Sequence, residues 1–237
     1  MLFATSGWVG PSTRRRTDPG PLHPRTLNTE HLLGRNLRDQ GRLTEAEEFL
    51  TRALAGREQV LGPTHPDVTL SLSVLGGLAL QQGDLERAEQ SFARALGIAR
   101  PLPSLQVRAA RLLVRLGLVA EARGDLTSAE ARHVEALDVL GRLSGPPATD
   151  RVRALAAVAR VRIRTGRQAL ATAPLGEAAT AAEGRADLAA LVHAVRALYL
   201  DATKDPAGAQ RERAAVARAT AALERDLRDD LAASVPR

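Results

Sequence analysis

The sequence predicts an all-α chain built as a repeat array of antiparallel helix pairs. Two observations carry this. The first is internal repetition. Gly83-Asp84-Leu85-Glu86-Arg87-Ala88-Glu89-Gln90-Ser91-Phe92-Ala93-Arg94-Ala95-Leu96 reads as a turn residue, an Asp able to cap, and a helix with apolar residues three and four apart. Gly41 and Gly124 open the same phrase and Gly166 a fainter copy, at intervals of 42, 41 and 42 residues. A period in this range marks an array whose units bury their apolar faces only against their neighbours. The second is composition. The 237 residues are 44% hydrophobic but only 2% aromatic, so a core must be built from Leu, Ala and Val. Ala, Leu, Arg and Glu favour helices, whereas strands draw on β-branched and aromatic residues.

Taken in order, residues 1–19 combine Gly, Pro, Ser and Thr with Arg14-Arg15-Arg16 and show no helical period; they are expected to form a poorly ordered tail. Gly20-Pro21-Leu22-His23-Pro24 parallels Gly62-Pro63-Thr64-His65-Pro66 at an offset of 42, so the first copy reads as the tail of an earlier repeat. Helices are expected at 27–40, with Leu33, Gly34 and Leu37 on the packing face, and at 44–60, with Thr44 and Glu47 as a capping box. Thr64 is a candidate cap for a helix over 66–82, and His23 and His65 are assigned capping or packing roles. Further helices are expected at 85–100, 104–123, 126–142, 149–165, 168–183, 186–203 and 207–231, followed by a tail at 232–237. Pro174 falls inside one of them and is expected to kink or split it.

Alignment on the turn glycines produces columns. Eight residues before each stand Leu33, Leu75, Leu116 and Val158, followed by Gly34, Gly76, Gly117 and Ala159. Five after come Ala46, Ala88, Ala129 and Ala171; nine after, Leu50, Phe92, His133 and Leu175; twelve after, Ala53, Ala95, Ala136 and Ala178. Small residues let two backbones approach, and large ones fill the groove opposite. Arg162 departs from this order, standing where the other copies have Leu37, Ala79 and Ala120.

This pattern resembles the tetratricopeptide repeat, and the 42-residue spacing with Leu61-Gly62-Pro63-Thr64-His65-Pro66-Asp67 resembles its kinesin-light-chain subtype. The resemblance implies a right-handed α-solenoid of about four to five units, with repeats near 27–66, 67–103, 104–148 and 149–184 and a degenerate one over 185–231. It also implies a non-catalytic protein-interaction module whose inner groove is lined by the first helix of each pair. Carried over by register, the partner-binding positions are Asn28, His31, Arg35 and Arg38, then Arg111 and Arg115, then Arg153, Arg160 and Arg164. Arg153, Arg160, Arg164 and Arg167 form one helical stripe opposite the apolar stripe of Val152, Leu155, Ala159 and Ile163.

The remaining chemistry is sparse. The net charge is +6, and with Lys204 as the only lysine nearly all of the positive charge is arginine. Two readings stand open: a general preference for Arg, or recognition of an anionic partner by bidentate guanidinium contacts. No Cys is present, which removes disulfides, thiolate metal sites and cysteine nucleophiles and fits a reducing, cytoplasmic setting. No phosphate-binding glycine loop or metal-ligand spacing occurs, so neither an enzyme nor a cofactor is expected. The expected partner is a protein or an acidic peptide. A polyanion such as nucleic acid is the alternative, weakened by the scarcity of aromatics for base stacking. No apolar run suits a membrane span. The solenoid end formed by residues 20–60 is a site where two copies would pair.

Overall fold

In the computed structural model, residues 20–145 and 148–233 are described, with side chains to residue 220. The described residues form α-helices and one short 3-10 turn, with no strand. The helices are α1 (Pro24–Asp39), α2 (Leu43–Leu61), α3 (Val68–Gln82), α4 (Leu85–Ala99), α5 (Gln106–Ala122), α6 (Leu126–Gly141), α7 (Ala148–Arg164), α8 (Gln168–Ala181), α9 (Ala186–Ala202) and α10 (Pro206–Ala233). Each odd-numbered helix packs on its even-numbered successor, and each pair stacks on the next. The fold is the solenoid of helix pairs that the period predicts. The proposed tail over 1–19, Pro146-Pro147 and residues 234–237 lie outside the described residues.

The turn glycines do what the repetition implies. Gly41, Gly83, Gly124 and Gly166 have φ of 79°, 78°, 83° and 74°, a left-handed conformation open to a residue without Cβ. Asp84 and Asp125 cap the helices that follow, each accepting a main-chain hydrogen bond at 3.0 Å, from Arg87 and Ser128. His23 caps α1 in the same manner, its Nδ1 accepting from Arg25 N at 3.1 Å, so the helix starts earlier than expected. In the second copy His65 Nδ1 accepts from Asp67 N at 3.2 Å in the turn ahead of α3, which itself has no side-chain cap, so Thr64 does not take the capping role expected of it. The capping box of Thr44 and Glu47 does not form. α2 has no side-chain cap, and Glu47 instead accepts from Gln82 at 3.1 Å and Arg87 at 2.5 Å in the next repeat. A guanidinium is the stronger partner for a carboxylate than a main-chain N–H.

The packing columns hold across the array. All eight alanines of the two alanine columns are fully buried, as are Leu50, Phe92 and His133. A Cβ added to Gly34, Gly76 or Gly117 would fall 2.7, 2.6 or 2.2 Å from Leu50, Phe92 or His133 respectively, so each glycine is the seat of the large residue on the facing helix. Fully burying a Leu or Phe of this kind contributes about 1.5–3 kcal/mol. Leu33 is the exception at 40% exposure. Its counterpart Leu75 closes on Leu37 and Leu50 of the preceding repeat, whereas no described element precedes α1.

Two irregularities resolve each other. α8 runs through the buried Pro174 without being split there. Proline has no N–H, so the carbonyl four residues back, on Leu170, loses its helical partner. Arg162 supplies it: Nη1 donates to Leu170 O at 2.9 Å while Nε donates to Glu130 at 2.8 Å. The arginine that breaks the column is the group that satisfies the interrupted helix.

The last repeat is more complete than its sequence implies. Lys204, at φ 63°, occupies the turn position elsewhere held by glycine. Asp205 caps α10 by accepting from Gly208 N at 2.9 Å, and Ala209, five residues after the turn, is fully buried like the other members of its column. α10 extends to Ala233, past the expected end at 231. No helix among the described residues is long and apolar enough to cross a membrane.

Candidate functional site: the inner groove

Consecutive odd-numbered helices touch along the array, and consecutive even-numbered helices make no comparable contact. The odd-numbered layer is therefore the inner wall of the curve, and its free faces form the groove. At its centre stands Arg115 on α5. Its guanidinium lies 5.6 Å from the centre of the Phe92 ring. Burial, and then repulsion by Arg38, Arg153 and Arg111, push its pKa down. Arg38 arrives from α1, and Nη1 of Arg38 and of Arg115 both reach to 3.2 Å from where a Cβ on Gly77 would stand. Gly77 is thus a bare floor between two cations. Beside it opens a cavity of about 260 Å³, lined by Leu80, Val114 and Leu118 together with Arg111, Arg115 and Arg153.

The arginines expected in the groove fall into two groups. Arg111, Arg160 and Arg164 tie α5 to α7. Arg111 grips the buried Asp150 with Nε and Nη2 at 2.7 and 2.9 Å, and this pairing raises its pKa. Arg160 grips Glu121 at 3.0 and 2.6 Å, Arg164 adds a bond at 3.0 Å, and His133 Nε2 lies 3.0 Å from the same carboxylate. Burial by itself would raise the Glu121 carboxyl. The hydrogen bonds from His133 and Arg160, with the charge of Arg160, overcome it and hold the pKa at about 2.

The second group has charge to spare. Arg115 and Arg153 are neither hydrogen-bonded nor ion-paired among the described residues. Among the described residues Arg38 is paired only with its sequence neighbour Asp39, through Nε and Nη2, which leaves Nη1 over Gly77. Asn28 and Arg35 are exposed on α1. His31 does not line the groove as expected: it is buried, and burial, followed by Arg57, Arg35 and Arg38, lowers its pKa to about 4, leaving it neutral near pH 7. Among the described residues no three His, Asp or Glu side chains gather as ligands for a metal.

The tetratricopeptide repeat family model matches residues 14–59 and again 25–100. Within residues 14–100 the chain carries tetratricopeptide repeats. Among solved structures, BtubC (BKLC) from P. vanneervenii is similar with a TM-score of 0.67 and 21% identity, over 84% of this chain and 82% of that one. A putative kinesin light chain of Podosopora anserina with nearly identical TPR-like repeats superposes at 0.66 with 20% identity, over 86% of this chain and 98% of its own. Aspartyl phosphate phosphatase F from Bacillus subtilis superposes at 0.68 with 13% identity, over 89% of this chain and 60% of that one. At these identities the likeness is one of fold. No curated protein matches the sequence.

Two acidic residues central to this tetratricopeptide groove escaped the sequence reading. Asp150 and Glu121 each pair with an arginine 39 residues away, one repeat less about one helical turn. His133 was the available signal. A histidine in a buried column needs a polar partner, and Gly117, on which it packs, shares α5 with Glu121.

Proposed function

We propose that this protein is a non-catalytic interaction module that holds an acidic peptide, or an acidic segment of a partner protein, along its inner groove. The convergence of Arg115 and Arg153 at one apolar-walled cavity, with Arg38 standing beside Arg115 at its edge, supports this reading most directly. A desolvated guanidinium held among like charges is costly to the free protein, and an anion removes that cost on binding. The neighbouring Leu80, Val114 and Leu118 add the apolar contact that a peptide side chain needs. Arg111, Arg160 and Arg164 serve it indirectly, by setting the spacing of α5 and α7. Asn28 and Arg35 extend the polar wall along α1 toward the first repeat.

The test is capture of partners by the intact chain, compared with an Arg115→Glu, Arg153→Glu double variant. The groove reading expects the variant to lose an acidic peptide pool while keeping its helical content. Equal retention by both proteins refutes it. Loss of nucleic acid in place of peptide would assign the surface to a polyanion, and that binding would fall steeply with salt.

A further inference from the structure

Resting on the groove reading, we propose that the anchoring group of the partner is a phosphate monoester, carried on a phosphorylated serine or threonine, seated over Gly77. Charge counting points there first. Arg38, Arg111 and Arg153 all repel Arg115 here, and among the described residues the only carboxylates paired with the four are Asp39 and Asp150, which leaves two positive charges unmatched. A carboxylate brings one negative charge and two oxygens. A phosphate monoester brings close to two charges at neutral pH and three acceptor oxygens.

Geometry makes the same choice. The three guanidiniums with capacity left belong to three different helices, α1, α5 and α7, so they approach from separate directions. A carboxylate can take several donors, as Glu121 does, but only with two oxygens in one plane, whereas a tetrahedral phosphate turns a separate oxygen toward each of three guanidiniums arriving from different directions. The floor between two of them is Gly77, where any Cβ would stand 3.2 Å from both Nη1 atoms. Only the ends of two flexible arginine side chains stand over Gly77, and these can part around an entering anion. The adjoining cavity of about 260 Å³, with Leu80, Val114 and Leu118 in its wall, receives the flanking residue of a polypeptide. A free inorganic anion would have no use for that wall.

The experiment compares two fluorescent degenerate peptide pools, identical except for a central phosphoserine or glutamate, titrated with the full chain. Inorganic phosphate and acetate serve as competitors. The expected result is binding of the phosphoserine pool about tenfold tighter than the glutamate pool, with phosphate competing better than acetate. Arg115→Gln and Arg153→Gln should each bring the two pools close to parity. Neither change removes a hydrogen bond or ion pair, and Arg115→Gln gives up only the contact with the Phe92 ring, so both variants should fold with the parent's helical content. Gly77→Ala should weaken the phosphoserine pool more than the glutamate pool. Equal binding of the two pools by the parent overturns the phosphate assignment and leaves the acidic-groove reading standing. Failure of both pools overturns the two together. A phosphoserine preference that survives both arginine variants, or competition by phosphate without any pool preference, also refutes the proposed seat.

Discussion

Replacing Glu121 by Gln removes the one negative charge shared by Arg160, Arg164 and His133. The carboxyl is 7% exposed, and its pKa is held at about 2 against an ordinary 4.5. At about 1.4 kcal/mol per pH unit this corresponds to about 3 kcal/mol of stability at neutral pH. The estimate agrees with the roughly 3–5 kcal/mol lost when one member of a buried ionic group is removed. The sign follows from the folded pKa lying below the unfolded one. The contribution is complete above about pH 5 and is lost as the pH falls through 4.5 toward 2. Glu121→Gln should therefore be destabilised by about 3 kcal/mol near pH 7, and the gap to the parent should roughly halve by about pH 3. Denaturant unfolding followed by helical circular dichroism at several pH values measures the gap. Because arrays unfold piecewise, hydrogen exchange along α5 and α7 localises it. A gap independent of pH, or one below about 1 kcal/mol near pH 7, would refute the assignment of Glu121 as the charged hub of these two helices.

Two further outcomes test the fold. Lys204→Gly should stabilise the last repeat by about 0.5–1 kcal/mol, since a left-handed φ of 63° strains any side chain while glycine loses part of that gain in the unfolded chain; a lower melting temperature would contradict it. Arg162→Ala should cost about 1–2 kcal/mol by leaving Leu170 O without a donor. That cost should shrink in a Pro174→Ala background, where the restored main-chain N–H reaches the same carbonyl, and strict additivity of the two changes would show that the arginine has no such role.

Much of the architecture was legible because packing in a repeat array is periodic. Ala88, Ala95 and Phe92 could be placed in the core from their columns, since every copy of a column meets the same neighbours. Legibility failed where the periodic environment ended or one copy made a substitution. Leu33 belongs to a core column, but no described repeat precedes it to cover it. The glycine of the fifth turn is a lysine, which concealed how closely the last helix pair follows the pattern of the others. Pro174 looked disruptive because its remedy, Arg162, lies twelve residues away on another helix. In the groove, register named Arg38, Arg115, Arg153, Arg160 and Arg164 alike. Only the positions of Asp150 and Glu121 separate the arginines that brace the wall from those left facing it.

The sequence by itself determined the helix pairs, their turns and the identity of the buried faces, because these follow from short-range periodicity and from the absence of Cβ at four glycines. The tertiary structure decided how charge is distributed. Partnership between Arg160 and Glu121, or the approach of Arg38 and Arg115 over Gly77, depends on the distance between helices from different repeats. Coulomb energy and hydrogen bonding vary over a few ångströms, a scale that packing sets and residue order does not record.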